Sequence, residues 1–143
     1  MQIRRAQFDQ DREVLEALEA ECFEPGAGYI NAYAGSQWWM ALDDSTPVGY
    51  SAAILGTGCN SGIASIPIMG TAPKARGRGL QRRFIRCAER WARSQGAVCL
   101  VTYTAYWNLA SANNFIRCGY RLYEPETRWG LEDGLYWRRE LVH

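Results

Sequence analysis

The spacing of apolar residues predicts an α/β fold on a mixed, mostly antiparallel sheet, and three observations carry that expectation. The candidate elements run strand, helix, meander, helix, strand, helix, two strands. Two of the strands, Gly62–Thr71 and Val98–Tyr103, are separated by a helical segment suited to one right-handed parallel crossover. At 143 residues, 48% of them apolar, the chain has the size of one domain, residues 1–143, with a sizeable core.

Taken in order, Gln2–Arg5 is a short strand candidate. Asp9 can cap a helix running to about Cys22, with Val14, Leu15, Leu18 and Cys22 at helical spacing. Pro25-Gly26-Ala27-Gly28 breaks it. Gln37–Asp43 and Pro47–Gly56 read as a hairpin turning through Asp43-Asp44-Ser45-Thr46. Gly62–Thr71 contains Pro67, which cannot donate to a ladder and marks either an end of pairing or a shorter strand. After Pro73–Gly79 comes a helix in which Leu80, Phe84, Ala88, Trp91 and Gln95 make an apolar stripe, widened by Ile85 and Ala92 and stopped by Gly96. Val98–Tyr103 is a strand, and Asn108 to Cys118 a helix burying Leu109, Ala112, Phe115 and Ile116, closed by Gly119. Arg121–Glu124 and Leu135–Leu141 are the last strands.

Net charge is only +1, so the whole molecule is no obvious polyanion binder. The distribution is more telling. Asp9 to Glu24 holds seven acids and one base, whereas Lys74 to Arg93 holds eight bases and one acid, Glu89. Either the basic segment takes a local anion, or these are two solvated faces of opposite sign. Five cysteines (22, 59, 87, 99 and 118) include no C-x-x-C pair. With no signal-peptide pattern and no apolar run approaching a membrane span, reduced, mostly buried thiols in a cytoplasmic protein are expected. The only histidine is His143, so neither a histidine dyad nor a histidine metal site is expected, and no metal.

The most informative segment is Arg76-Gly77-Arg78-Gly79-Leu80-Gln81-Arg82-Arg83, between a strand and a helix. A helix start offers unpaired N–H groups and partial positive charge, and glycines let backbone approach phosphate oxygens. Arginines crowd this start with no acid to complement its dipole, a cost of a few tenths of a kcal/mol each that a bound anion reverses. The P-loop pattern is absent, and Gly77-x-Gly79 continues with Arg82 where a dinucleotide fingerprint needs glycine. The outer stripe of Arg86, Arg90 and Arg93 reads as solvated surface rather than a nucleic-acid face.

Thr71-x-Pro73-x-x-Arg76-Gly77-Arg78-Gly79-Leu80-Gln81 together with Asn108-x-x-Ser111-x-x-x-Phe115-x-x-x-Gly119-Tyr120 resembles the GNAT superfamily, the first block being similar to its motif A and the second to its motif B. The resemblance covers residues 62–123 and implies a splayed sheet flanked by helices, acting as an acetyl-CoA-dependent N-acetyltransferase. It further implies that Met69 and Thr71 pair by their backbones with the pantetheine arm. Arg76, Gly77, Arg78, Gly79, Leu80, Gln81 and Arg82 would form the pyrophosphate turn, its amides supplied from Arg78 to Arg82. Asn108, Ser111 and Phe115 would line the pantetheine, although Asn108 and Ser111 serve equally well as helix-capping residues. Gln81 departs from the small residue that usually ends motif A, and Phe115 stands where many relatives carry a proton-donating tyrosine.

The implied chemistry is direct attack of a neutral amine on the thioester, driven by placement and by a backbone N–H, that of Met69 or Thr71, polarising the carbonyl. Gly62–Thr71 contains no Asp or Glu, so no carboxylate base sits on that strand. Tyr106, with Tyr103 behind it, is the candidate acid, and Glu24 the candidate substrate carboxylate. Tyr29, Tyr33, Trp38 and Trp129, beside the acidic first helix, would wall an acceptor site between the Glu21–Trp39 and Pro125–Gly134 segments. A small cationic or aromatic amine is then the expected acceptor. A protein lysine or N-terminal amine is the alternative, as is a non-catalytic acyl-CoA sensor. A homodimer is within the range the resemblance implies, and no residue pattern decides it.

Overall fold

The computed structural model describes residues 1–23, 26–57 and 60–141. Its strands are β1 (Gln2–Ala6), β2 (Gln37–Asp43), β3 (Thr46–Thr57), β4 (Asn60–Thr71), β5 (Cys99–Thr104), β6 (Arg121–Leu122) and β7 (Leu135–Glu140). The helices are α1 (Phe8–Cys22), α2 (Leu80–Ser94) and α3 (Leu109–Arg117), with short 3-10 turns at Tyr29–Tyr33 and Pro73–Ala75. The sheet order is β1-β2-β3-β4-β5-β7-β6. Only β4 and β5 are seen to run parallel; β1–β2, β2–β3, β5–β7 and β6–β7 are antiparallel. The expected mixed, mostly antiparallel α/β fold is therefore present, and the parallel pair is the one joined through α2.

The residues gather into two compact units, one of residues 1–53 and 68–84, the other of 54–67 and 85–143. In the first, α1 buries Phe8, Leu15 and Leu18 with Ile30, Trp38, Met40, Tyr50 and Ile68. Asp9 is not the cap of α1. Gln7 occupies that position, because burying Phe8 draws the helix two residues further back, and Asp9 lies in the first turn. Asp11 accepts the Gln7 N–H at 2.9 Å and pairs with Arg4 at 3.0 Å. The β2–β3 hairpin closes through Asp44-Ser45, with Asp44 at φ 52°, a left-handed geometry that Asp tolerates better than most residues.

In the second unit the central feature is a buried carboxylate. Glu89 is 1% exposed and accepts from Arg86 Nη1 at 2.7 Å, Arg139 Nη1 at 2.8 Å and the Tyr120 hydroxyl at 2.8 Å. One acid thus ties α2, β7 and the turn after α3 together. Burial, and then the Glu89 charge, push the Tyr120 phenol far up. The α3 stripe is narrower than its spacing predicts. Ala112 and Phe115 are buried, but Leu109 is 68% and Ile116 56% exposed. Each further residue turns the helix by about 100°, so Ile116, one step past Phe115, leaves the covered face. Gln95 at the end of α2 is likewise exposed.

Removing Glu89 leaves two guanidinium groups and a phenol uncompensated. Glu89→Ala is expected to cost about 3–5 kcal/mol, lowering the midpoint of a thermal melt followed by circular dichroism by roughly 10 °C.

Candidate functional site

The start of α2 lies in the first unit. Gly77 and Gly79 both take φ 77°, the left-handed region where a side chain is strained, and nothing comes within 4 Å of where a Cβ on Gly77 would stand. At the start of the helix the Arg83 N–H donates to the Gly79 C=O at 3.3 Å, and no acid occupies the first turn. Arg82 folds back over the turn, its Nη2 being 3.5 Å from the Cβ position of Gly79. Arg78 reaches Asp43 at 2.8 Å, and Arg76 Nε caps the Thr71 carbonyl at 3.3 Å. Open backbone, helix-start amides and gathered guanidinium charge fit a diphosphate.

The parallel register of β4 with β5 runs from Ile63↔Cys99 to Ile66↔Thr102, whereas β4 itself continues to Thr71. At its start, the Gly62 carbonyl accepts the Val98 N–H, towards β5; just past its end, the Ala72 N–H donates to Val48, towards β3. Pro67, which offers no amide hydrogen, directly follows the last of the parallel pairs. The Thr102 hydroxyl donates to the Ile66 carbonyl at 2.8 Å and the Tyr103 hydroxyl to the next carbonyl, Pro67, at 3.4 Å. Met69 and Thr71, the two residues expected to meet the pantetheine arm, lie beyond that ladder on the same strand.

The remaining predicted residues divide sharply. In the second unit, Asn108 caps α3, its side-chain oxygen accepting the Ser111 N–H at 3.2 Å. Any further contact from Asn108 is then best made through its Nδ2 donors. Phe115 is 2% exposed, stacked on Trp137 at 6.4 Å and edge-on to Tyr120 at 5.2 Å, so it belongs to the core. Tyr106 is 60% exposed. Glu24, Cys59 and His143 lie outside the described residues.

The expected aromatic wall needs correcting. Trp38 is fully buried against Phe8 and Tyr50, because β2 carries it into the core, and Trp39 is 5% exposed. Trp129 packs edge-on to Tyr103 at 5.0 Å and to Tyr136 at 5.8 Å. The Tyr136 hydroxyl fixes this loop, accepting the Gly130 N–H and donating to the Leu131 carbonyl. Tyr33 is half-buried and only Tyr29 stands out, at 50% exposure.

Sequence reasoning missed two groups in the first unit. Glu19, 3% exposed, accepts the Gly28 and Ile30 N–H groups, each at 2.9 Å, and so fixes the turn after α1. Its signal was an acid on the Leu15–Leu18–Cys22 face of an otherwise amphipathic helix. Tyr50 is fully buried with no hydrogen-bond partner for its hydroxyl among the described residues. Its ring lies over Gly70, Cε1 only 2.7 Å from a Cβ built there, with Cys22 Sγ at 3.0 Å from the same point. Burial first, then Cys22 and Glu19, push the Tyr50 phenol far up, and burial raises the Cys22 thiol to about 11.

The model of the acetyltransferase (GNAT) family matches residues 3–120, and the chain belongs to that family. It is an acyl-CoA-dependent acetyltransferase with acetyl-CoA as donor. Similar solved structures include an IAA acetyltransferase from Bacillus cereus, 18% identical with TM-score 0.77, covering 98% of this chain and 99% of that one. The ribosomal-protein-S18-alanine N-acetyltransferase from Escherichia coli is 12% identical with TM-score 0.78 over 99% and 96%. A GNAT phosphinothricin acetyltransferase from Sinorhizobium meliloti, in complex with acetyl-CoA, is 16% identical with TM-score 0.75 over 98% and 88%. At such identities the likeness carries the fold. No curated protein matches the sequence. Among the described residues no helix is long and apolar enough to cross a membrane, and no group of three or more His, Cys, Asp or Glu could hold a metal.

A buried hydroxyl without a partner costs about 1–3 kcal/mol. Tyr50→Phe is therefore expected to leave the thermal midpoint unchanged or raise it by a few degrees; a fall would show that the hydroxyl is bonded in solution.

Proposed function

We propose that residues 1–143 act as one acetyltransferase domain that moves the acetyl group of acetyl-CoA to a primary amine on a small cationic or aromatic molecule, in a ternary complex. The observation that carries this reading is the start of α2, where two left-handed glycines and a cluster of arginines, Arg78 among them paired with Asp43, precede a helix whose first turn holds no acid. Arg76, Gly77, Arg78, Gly79, Leu80, Gln81 and Arg82 hold the pyrophosphate, the amides from Arg78 to Arg82 donating to its oxygens. Met69 and Thr71 offer backbone to the pantetheine, a reading supported by the end of the β4–β5 ladder at Ile66 while β4 continues to Thr71. Asn108 contributes its Nδ2, Ser111 the edge of its helix, and Phe115 shapes the site only through packing. The four described cysteines are free thiols, which supports a cytoplasmic enzyme.

Catalysis rests on placement and on a Met69 or Thr71 N–H directed at the carbonyl oxygen. Glu24 draws the ammonium in and accepts its proton, through water where direct reach fails. Tyr106 supplies the proton to the departing sulfur. A protein amine is the second acceptor class; the ribosomal-protein-alanine acetyltransferase among the similar structures motivates it.

Gly79→Asp separates cofactor binding from folding. An acid at a helix start gains about 0.3–1 kcal/mol from the dipole, which offsets part of the roughly 1–2 kcal/mol that a side chain costs at the left-handed φ of 77°, while its charge repels a diphosphate. Calorimetry should show acetyl-CoA affinity lost with the thermal midpoint lowered by no more than a few degrees; retained affinity overturns the assignment. If the wild-type protein binds CoA but releases no thiol across a panel of amines, it is a sensor.

Tyr106→Phe should lower kcat at least tenfold with acetyl-CoA affinity unchanged, since only proton transfer is removed. An unchanged rate takes Tyr106 out of the mechanism.

A further inference from the structure

The first unit displays two large aromatic side chains that the core does not use. Phe23 is 45% and Tyr29 50% exposed, and their rings meet edge to face, centroids 5.9 Å apart at 89°. Exposed rings on a connecting segment ordinarily lose freedom when they bind something. Here much of that ordering is already present. Glu19 holds the amides on either side of Tyr29, those of Gly28 and Ile30, each at 2.9 Å. A buried carboxylate spent on two loop amides is a costly way to fix a turn unless the turn's position matters.

The charge on the helix that leads into this pair is one-sided. Helix α1 carries six acids and one base. That base, Arg12, is engaged by Glu16 at 3.1 Å and Asn31 at 2.9 Å, and Asp11 is paired with Arg4. Asp9, Glu13 and Glu21, the last of them two residues before Phe23, make no ion pair among the described residues. Aromatic faces attract cations through their quadrupole, and unpaired acids raise the local concentration of cations.

We infer that Tyr29, braced by Phe23 and set in place by Glu19, is the specificity platform on which the acceptor is read, and that the acceptor is a small primary ammonium carried on an apolar or aromatic body. This rests on the acetyltransferase reading and narrows it. The rings hold the apolar body, the acids of α1 favour its charge, and Glu19 acts as a positioning residue that does not touch the amine.

The test uses the whole chain saturated with acetyl-CoA and two probe amines, 2-phenylethylamine and ethanolamine. Tyr29→Ala and Phe23→Ala should each raise KM for 2-phenylethylamine about tenfold, the order that one aromatic ring-to-ring contact supplies. KM for ethanolamine, acetyl-CoA affinity and the thermal midpoint should stay as in the wild type, and Tyr29→Phe should restore selectivity because the ring is kept. Equal effects on both amines, or none, overturn the platform. Calorimetry of 2-phenylethylamine with the CoA-bound protein separates the two claims. Heat that Tyr29→Ala abolishes, without turnover, upholds the platform and refutes the enzyme; turnover without a Tyr29 effect does the reverse.

Discussion

A proline offers no amide hydrogen, and in β4 that single absence falls where the ladder with β5 stops. Ile66↔Thr102 is the last parallel pair, and the next residue is Pro67. Two side chains of β5 then take over from the backbone, the Thr102 hydroxyl on Ile66 and the Tyr103 hydroxyl on Pro67. The rest of β4, with Met69 and Thr71, runs on beyond that ladder.

Each unit is organised around one buried acid. Glu19 gives both oxygens to backbone amides, so it fixes a turn and remains unavailable as a base. Glu89 takes two guanidinium donors and a phenol, so it fixes three elements at once. A carboxylate in the interior is stable only when its lone pairs are filled. Both satisfy that condition, by different means, and both therefore specify geometry more than they add stability. Of the eight bases from Lys74 to Arg93, Arg86 is held by Glu89 and Arg78 by Asp43, so the apparent surplus of charge in that segment is partly a structural network.

The left-handed turn ahead of α2 was legible in the sequence because it is local. Two glycines, a missing acid and a run of arginines lie within eight residues, and their meaning depends only on the helix that follows. The order of elements was legible for the same reason, from the period of two or near four. What was not legible depends on residues distant in the chain. Trp38 beside a turn reads as a pocket wall until β2 carries it under α1. Leu109 and Ile116 read as core until the narrow covered face of α3 leaves them out. Glu89 looked like the one exception in a basic segment, although its place on the Ile85–Ala88–Ala92 face already marked it as inward-facing. Tyr50 gave no signal at all, since a lone tyrosine in an apolar strand is ordinary until its hydroxyl proves to be unpaired.

The burial of Phe115 also bears on the chemistry. It has no hydroxyl, and its ring is committed to Trp137 and Tyr120, so no small rotation turns that position into a proton donor. The other phenols of the second unit can be compared by what their hydroxyls already do. Tyr120 is bonded to Glu89, Tyr103 to Pro67 and Tyr136 to Leu131. Tyr123 is half-buried, and burial pushes its phenol upward, away from the range in which it could give up a proton to a thiolate. Tyr106 alone is exposed and makes no hydrogen bond among the described residues. A proton donor must keep its proton free to be given, and by that standard the tyrosine on the turn before α3 is the one whose hydroxyl the fold has left uncommitted.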